Sequence, residues 1–516
     1  MKIALINVRS DFTAYEPRGI LQIGAALKEA GHEVFLIDPL YSKIDYEKIA
    51  FFNPDIIGIS FMSLHYYSTR KIVQKIRSFF ADIPLVAGGV HPTVDPESAL
   101  KELGFNYCVI GEGELTVVEL VGHLQDKRPS TDLPCVKGIA YLDENREMQV
   151  TEERPLIQDL DTIPFSAREE IEMEDYLVPP GYIRSTILNR VGVIYSSRGC
   201  PGRCTFCCSV AMCKRKYRQR SVSHVMKEID FLIKRYQIEG IYFSDEVFSQ
   251  DRHWVVQLCE KFKGYKMPWG LSTRVVLVDF ELLKLLKEAG CVQIDYGVES
   301  GSDAVLKALK KDISRRIIQR TFDLTHKAKI RAFATVMVGL PDETLEDVNQ
   351  TIELLKIIKP DFTLCGFFVP LPGSEAYRTL VAQGRINKDF FKTQDYHLIF
   401  SKMPLINVSA MPDKELSQAK GRIDQYTALR NYASVLTLRN VSFYLKVILL
   451  SFSSPIGFGR NVFAALGSGR FDRLAGYLLN HYQTRLRKRA RKIRESQNTF
   501  SSLSLFKLKQ KKFKLS

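Results

Sequence analysis

Three cysteines near the middle of the 516-residue chain have a spacing suited to metal chemistry. Cys200, Cys204 and Cys207 form a C-x3-C-x2-C pattern directly after the apolar run Val191 to Tyr195. That run predicts a strand that leads into a loop rich in Gly and Pro. Three thiolates on one such loop can bind three irons of a four-iron cluster and leave the fourth iron open to a substrate.

Zinc is the alternative metal for clustered cysteines. A structural zinc site closes its tetrahedron with a fourth Cys or His, commonly from a second C-x2-C or H-x3-H pair. No such pair follows at the spacing of a zinc finger, but Cys208 and Cys213 lie near enough in sequence to complete a zinc site. The remaining cysteines are scattered and are expected to be small core residues.

The cysteine loop, with Phe206 just before the last cysteine, resembles the signature of the radical S-adenosylmethionine (SAM) superfamily. The resemblance implies that Cys200, Cys204 and Cys207 hold a catalytic [4Fe-4S] cluster and that SAM chelates its open iron. An electron from the cluster then cleaves SAM to methionine and a 5′-deoxyadenosyl radical, which abstracts hydrogen from an unreactive C–H bond. In such an enzyme Cys213 is a further candidate, as a hydrogen donor to a substrate radical.

Length and composition favour a large intracellular protein. A chain of 516 residues with 45% hydrophobic residues predicts two or three domains with substantial cores. Ten cysteines without a disulfide-like spacing suit a reducing compartment, and the first residues do not resemble a signal peptide. No run of eighteen uncharged apolar residues occurs, so we expect a cytoplasmic protein without a spanning helix.

The first 150 residues alternate between strand-like runs and amphipathic helical runs. The alternation predicts an α/β, Rossmann-like doubly wound domain, whose ligands bind at the carboxyl ends of parallel strands. Four loops at those ends contain paired glycines, hydroxyls and prolines; they are Tyr15-Glu-Pro-Arg-Gly-Ile-Leu21, Ser60-Phe-Met-Ser63, Gly88-Gly-Val-His-Pro-Thr93 and Gly111-Glu-Gly-Glu114. Taken singly, each loop can also be explained by glycines and prolines that only form a turn and bind no ligand.

Together the four loops resemble the cobalamin-binding domain that is fused to one branch of radical SAM enzymes. The resemblance implies that cobalamin contacts Tyr15, Pro17, Gly19, Leu21, Ser60, Ser63, Gly88, Gly89, His91, Pro92, Gly111, Glu112, Gly113 and Glu114. The D-x-H-x-x-G motif that supplies an axial histidine in many cobalamin domains is missing from the sequence. We therefore expect cobalamin to be bound base-off, with His91 shaping its loop and not binding cobalt.

Residues 151–190 are rich in Pro and acidic residues and predict a linker with a solvated surface. From 191 to 375 six strand-helix units follow, too few for a complete eight-fold barrel, so a partial (β/α)6 barrel is predicted. Polar residues at its strand ends are the candidate SAM contacts by resemblance: Phe206, Ser244, Asp245, Glu246, Ser272, Arg274, Glu299 and Gly339. Asp245, Ser302 and Thr344 can alternatively be helix caps.

The remaining residues predict a helical C-terminal domain, 376–484, and a basic tail, 485–516. The tail contains twelve Lys and Arg against Glu495, so it carries +11 of the net charge of +15. Its apolar and basic residues can contact the face of an anionic membrane or remain solvated. Nucleic acid is not an expected partner, because no RNA-binding module accompanies the tail.

The resemblance covers residues 1–375 and implies a cobalamin-dependent radical SAM enzyme. The leading hypothesis is a C-methyltransferase that uses methylcobalamin on an unactivated carbon of a hydrophobic small molecule. An oxidative cyclase or ring-rearranging enzyme with the same architecture, and a non-catalytic cobalamin or redox sensor, are the alternatives. A flavodoxin- or ferredoxin-type reductant is the implied protein partner.

Overall fold

Two largely parallel sheets organise the molecule. A computed structural model of the chain describes residues 1–9, 16–39, 44–177, 190–396 and 401–435. The predicted α/β architecture, with a doubly wound domain followed by a partial barrel, is confirmed. The domain boundaries themselves stay predictions.

The first sheet contains seven strands. They are β1 (Lys2–Asn7), β2 (Glu33–Ile37), β3 (Ile56–Ser60), β4 (Leu85–Gly88), β5 (Tyr107–Val109), β6 (Ile139–Leu142) and β7 (Met148–Val150). Their order is β2-β1-β3-β4-β5-β6-β7, in which β1 to β5 are parallel. The antiparallel strands β6 and β7 extend one edge and are not predicted by the sequence pattern. The order reverses between β1 and β3, where doubly wound sheets bind ligands.

Helices cover both faces of this sheet. They are α1 (Arg18–Glu29), α2 (Tyr46–Phe52), α3 (Tyr66–Phe79), α4 (Val90–Val94), α5 (Pro96–Lys101) and α6 (Glu114–Gln125). Along β1, Ile3 and Leu5 pack with α1 and α6, whereas Ala4 and Ile6 pack with the helices of the opposite face. This alternation follows from the two-residue period of a strand and buries β1 on both sides.

The sequence predicts a connector with a solvated surface. The structure shows that part of this connector is buried between the two sheets. It includes the short helix α7 (Glu174–Leu177) and the fully buried Arg168. The Arg168 guanidinium binds Glu16 of the first domain at 2.8 Å and Glu228 of the second at 2.6 Å. The prediction failed here because the linker's composition gives no sign that one cation is enclosed by two acids distant in sequence.

The second sheet contains six parallel strands. They are β8 (Val191–Ile194), β11 (Gly240–Phe243), β12 (Trp269–Thr273), β13 (Cys291–Glu299), β14 (Arg331–Val338) and β15 (Phe362–Phe367). Two short strands, β9 (Ser197–Arg198) and β10 (Arg218–Gln219), pair antiparallel outside this sheet. The order β15-β14-β13-β12-β11-β8 follows the sequence from one edge to the other, as a partial barrel requires.

Helices alternate with the strands of the second sheet. They are α8 (Ser209–Cys213), α9 (Val222–Tyr236), α10 (Arg252–Phe262), α11 (Phe280–Glu288), α12 (Asp303–Ala308), α13 (Arg315–Lys327), α14 (Leu345–Ile358), α15 (Glu375–Ala382) and α16 (Asp413–Val435). From α16, Leu416, Ala419 and Ile423 enter the barrel core. The predicted domain beyond residue 435 and the basic tail lie outside the described residues. Among the described helices, none has both the length and the apolar character needed to cross a bilayer.

Candidate active site and cofactor cavity

The cysteine loop, Gly199 to Cys207, begins where β9 ends. Cys200, Cys204 and Cys207 are each partly exposed, so three sulfur donors stand at the surface of one loop. Gly199 has a φ of +90°, and a Cβ atom there would overlap the carbonyl oxygen of Lys216. Only glycine therefore lets the chain turn at the entrance to this loop.

Burial and nearby cations act in opposite directions on the loop's thiols. Burial raises the pKa of Cys207 to about 12. Burial also raises the pKa of Cys204, but the positive charges of Lys311 and Arg274 oppose that rise. Because metal ligation requires thiolates, these two cations favour the charge state that a metal cluster needs.

The zinc alternative finds no support in the geometry. Throughout the described ranges, no three Cys, His, Asp or Glu side chains converge as a single metal ion requires. Three thiolates that each bind a different iron of a cluster need no such convergence.

Three candidate SAM contacts surround Lys311, which the sequence interpretation missed. The Lys311 ammonium donates to the Glu299 carboxylate at 2.7 Å and lies 5.6 Å from the centre of the Phe206 ring. Arg274 donates to the carbonyl oxygen of Lys311. Burial alone would lower the pKa of Lys311, but Glu299 and Cys204 raise it above its ordinary value. The ammonium thus stays charged between Glu299 and the cysteine loop.

The backbone conformation also positions the side chains that surround Lys311. Glu299 ends β13 with a φ of +65°, a conformation that non-glycine residues rarely adopt. Arg274 follows β12 and reaches the cysteine loop, where a Cβ at Gly202 would lie 2.8 Å from its Nη1 atom. Ser272 lies on β12 itself and is partly exposed. The ends of β12 and β13 therefore converge on the cysteine loop.

Asp245 and Glu246 follow β11 but face different surroundings. Asp245 is buried, and its Oδ1 atom accepts hydrogen bonds from the Ser196 hydroxyl and from Ser197. Burial raises the pKa of Asp245 to about 6, although the bonds from Ser197 lower it. Its alternative role as a helix cap is wrong, because its carboxylate fastens β11 to the chain after β8. Glu246 is exposed and accepts from the Gly199 N–H at 3.3 Å.

The other strand ends contribute backbone geometry. The Ser244 N–H donates to the Ile194 carbonyl and continues the pairing of β11 with β8. Gly339 follows β14 with a φ of +82°, and its N–H donates at 2.7 Å to the buried Glu343 carboxylate. Ser302 and Thr344 are helix caps, as the alternative interpretation predicted.

A cavity of about 400 Å³ lies between the first domain and the barrel. Its deep part is apolar and is enclosed by strands β1, β3, β4 and β5 and by helices α1 and α6. The barrel side of the cavity, called its mouth, includes Arg198, Gly199, Met212 and Cys213 in its wall. Eight candidate cobalamin contacts line it: Gly19, Ser60, Gly88, Gly89, Gly111, Glu112, Gly113 and Glu114.

Five other candidate contacts stand behind the cavity wall. They are Pro17, Leu21, Ser63, His91 and Pro92, and all five are buried. The two ring nitrogens of His91 are hydrogen-bonded to the Ser63 and Ser98 hydroxyls, each at 2.9 Å. Burial lowers the pKa of His91 to about 4, so the ring is neutral and its hydrogen bonds hold the loop. Tyr15 lies outside the described residues.

Ion pairs at the mouth join the two domains. Arg198 binds Glu112 at 3.0 Å and also Glu114, and Arg218 binds Glu112 at 2.7 Å. These arginines belong to β9 and β10 of the barrel, and the acids belong to the loop before α6 and to its first turn. The acidic loop predicted to contact cobalamin therefore also fixes the position of the barrel.

Comparison with known proteins agrees with this arrangement. The model of the B12 binding domain matches residues 1–121, and that of the radical SAM superfamily matches residues 194–355. A protein described as an uncharacterized methyltransferase of Pyrococcus horikoshii is 30% identical over 383 residues, 72% of this chain and 79% of the relative. The chain belongs to the radical SAM superfamily and carries a B12-binding domain.

Other similar proteins differ in activity. An anaerobic magnesium-protoporphyrin IX monomethyl ester cyclase of Rubrivivax gelatinosus is 28% identical over 412 residues, 78% of this chain and 72% of the cyclase. A solved radical SAM methyltransferase of Kitasatospora setae, with tryptophan substrate and a SAM analogue bound, has a TM-score of 0.60 and 19% identity. The match covers 74% of this chain and 76% of that one, and it shows the shared fold.

This radical SAM enzyme uses a [4Fe-4S] cluster, SAM and cobalamin, and its residues fit them. Three sulfur donors on one loop beside two cations suit an anionic iron-sulfur cluster. The deep apolar part of the cavity suits the flat, uncharged base of a cobalamin tail. At Gly58 a Cβ would lie 2.7 Å from Leu5 Cδ2, so the absence of a side chain keeps this part open.

Proposed function

We propose that the protein is a cobalamin-dependent methyltransferase that acts on an unactivated carbon of a small molecule. The observation that carries the proposal is the shared mouth of the cofactor cavity. Its wall combines the glycine loops of the first domain with Gly199, the first residue of the cysteine loop, and with α8, which follows that loop. Cofactors bound at the glycine loops and at the cysteine loop would therefore face the same space, in which a substrate can bind.

Each domain supplies a distinct part of the reaction. When bound, the cluster and SAM supply hydrogen abstraction, and cobalamin supplies a transferable methyl group. Cys200, Cys204 and Cys207 hold the cluster. Arg274 orients the SAM carboxylate, and Glu246 orients its amino group. Glycine loops let the corrinoid approach the backbone closely.

The ion pairs at the mouth keep the two cofactor sites in register. Arg198 and Arg218 are largely buried by the contact with Glu112, so this junction excludes water from its interior. Exclusion of water protects reactive intermediates from side reactions. The chain's own contribution is therefore to position both sites and to shield the space between them.

The test is turnover with SAM labelled in its methyl group, using anaerobically reconstituted enzyme and candidate substrates. Methyl label in the product together with 5′-deoxyadenosine supports the proposal. The Cys200→Ala, Cys204→Ala and Cys207→Ala variants should each lose cluster absorbance and 5′-deoxyadenosine formation. Cluster retention in the triple variant would contradict the ligand assignment.

A cyclase is the second candidate, because the cyclase of Rubrivivax gelatinosus matches over 78% of this chain. It predicts 5′-deoxyadenosine with an unlabelled product. Absence of 5′-deoxyadenosine under all reducing conditions would instead favour a sensor that binds cofactors without turnover.

The substrate class and the partners belong to the same proposal. We expect a hydrophobic substrate, a flavodoxin- or ferredoxin-type reductant, and peripheral contact of the basic tail with the inner membrane face. Flotation with anionic vesicles tests the membrane contact. Equal flotation of the full chain and of a variant lacking residues 485–516 would exclude a role for the tail.

A further inference from the structure

Three arginines line the cofactor cavity, and two of them are neutralised by acids of the protein. Arg198 and Arg218 both bind Glu112, and Arg198 also binds Glu114. Arg18, at the start of α1, differs from them. Within the part of the chain that the structure describes, no carboxylate lies within 4 Å of its guanidinium nitrogens.

The Arg18 guanidinium stacks on an aromatic ring, in contrast to the ion pairs of Arg198 and Arg218. Its guanidinium carbon lies 3.8 Å from the centre of the Tyr195 ring, at the end of the barrel's first strand. This stacking occupies the flat face of the guanidinium and leaves the N–H donors around its edge available. Desolvation and then the positive charge of Arg198 lower the pKa of Arg18, and the more distant acids Glu246 and Asp245 oppose this change without reversing it. The site therefore holds a cation that an anion would stabilise.

The position of Arg18 identifies the anion. Arg18 and Gly19 lie on the cavity wall beside Ile20 and Ile23 of α1, which border the apolar deep part. Because the phosphodiester links the nucleotide base to the corrin ring, a base bound in that part would bring the phosphodiester towards the side of the wall that holds Arg18. The phosphodiester is the permanent negative charge of the cofactor, and a guanidinium is the side chain best suited to bind it in a pocket that excludes water.

We infer that Arg18 binds the phosphodiester of the cobalamin nucleotide tail and so selects complete cobalamin over corrinoids that lack the tail. This inference rests on the proposed cobalamin cavity. It makes Arg18 a specificity-determining residue, which the sequence pattern does not reveal although its neighbours Pro17 and Gly19 are predicted cobalamin contacts.

Equilibrium binding of three corrinoids to the full-length, cluster-reconstituted protein tests the inference. The ligands are cobalamin, cobinamide phosphate and cobinamide, and the last two differ by the phosphate group alone. We expect the wild type to prefer cobinamide phosphate over cobinamide by about tenfold or more, as a charge-assisted hydrogen bond supplies. Arg18→Gln should abolish this preference and leave the affinity for cobinamide unchanged, whereas Arg18→Lys should retain part of it.

Lys28→Gln is the matched control, because Lys28 lies on the same helix as Arg18 but pairs with Glu169 and Glu170 outside the cavity wall. It should keep the preference for the phosphate. An equal loss of affinity for all three corrinoids in Arg18→Gln would show a structural role at Tyr195 and overturn the inference. A wild type that binds cobinamide and cobinamide phosphate equally would also overturn it, while leaving the cobalamin cavity intact. Failure of the wild type to bind any corrinoid would overturn the proposed function together with the inference.

Discussion

Glu343 shows how a single side chain responds to burial at the barrel mouth. Its Oε2 atom accepts from the N–H groups of Gly339 and Leu340, and its Oε1 atom is buried without a partner among the described residues. Burial raises the pKa of Glu343 to about 8 from its ordinary value of 4.5. The folded protein thus holds a proton that the unfolded chain releases between these values, so stability falls as the pH rises from about 5 to about 8.

Glu343→Gln should remove this part of the pH dependence. A neutral amide keeps the acceptor for Gly339 and cannot ionise. The thermal midpoint of the variant should therefore fall less between pH 5 and 8, with a difference in slope of up to about 1.4 kcal/mol of unfolding free energy per pH unit. Glu346→Gln, which removes an exposed carboxylate three residues later, serves as the control and should follow the wild type. Parallel profiles for Glu343→Gln and wild type would contradict the assignment.

At the scale of single residues, the sequence predicts a site residue only where it belongs to one continuous segment with a characteristic spacing. The cysteine loop and the glycine loops are continuous motifs, so the order of residues along the chain is enough to identify them. Lys311 is not part of such a motif, because it meets Glu299, Phe206 and Arg274 only after α12 has folded back on the end of β13. Arg18 escapes prediction for a related reason, since its partner Tyr195 belongs to another domain.

At the scale of elements, hydrophobic periodicity located the parallel strands of both sheets and most helices of the barrel. It missed β6, β7 and short helices such as α4 and α5, which are too brief to show a period. It also could not show that Gly58, in the middle of β3, borders the cavity. Along β3, Ile57 and Ile59 face one core, and Gly58 therefore faces the other side with α1 and α6.

Gly58→Val should obstruct the deep part of the cavity. The added branched side chain must displace Leu5, whose Cδ2 atom is 2.7 Å from the position of the new Cβ, and it projects into the proposed site of the nucleotide base. We expect cobalamin affinity to fall by about fivefold to about 150-fold, since overpacking of this kind costs about 1–3 kcal/mol. Cobalamin titration of the reconstituted protein measures it.

The same titration carries its own control. Gly122→Ala adds a methyl group on α6 at a position with no other atom within 4 Å and outside the cavity wall, and it should bind cobalamin like the wild type. Iron content should be unchanged in both variants, because the cysteine loop belongs to the other domain. Normal cobalamin affinity in Gly58→Val would show that the base does not enter this part of the cavity.

At the scale of the whole molecule, Arg168 holds three parts of the chain together. It lies in the connector and binds Glu16 of the first domain, Glu228 on α9 and the carbonyl oxygen of Val193 on β8. The side chains of Arg168, Glu16 and Glu228 are each no more than 5% exposed. Removal of the cation would leave the buried Glu16 carboxylate without its cation, while Glu228 would keep only Arg220, and this arrangement is far less stable than the intact triad of Arg168, Glu16 and Glu228.

Arg168→Met should therefore uncouple the domains. We expect a loss of about 3–5 kcal/mol from the broken buried pairs. In calorimetry the variant should show an early transition separated from the main one, whereas the wild type should unfold with the two domains coupled. Arg168→Lys should rescue little, because an ammonium cannot reach three acceptors with the geometry of a guanidinium.

Arg154→Met provides the comparison within the same connector. Arg154 contacts Thr116 and Glu119 of the first domain, and Glu119 is 42% exposed, so its loss should change stability by about 1 kcal/mol or less. If Arg168→Met melted in the same way as Arg154→Met, the buried triad would not hold the domains together. The fixed distance between the cobalamin cavity and the cysteine loop would then depend on the ion pairs of Glu112 and Glu114, and Glu112→Gln would become the variant that separates the two transitions.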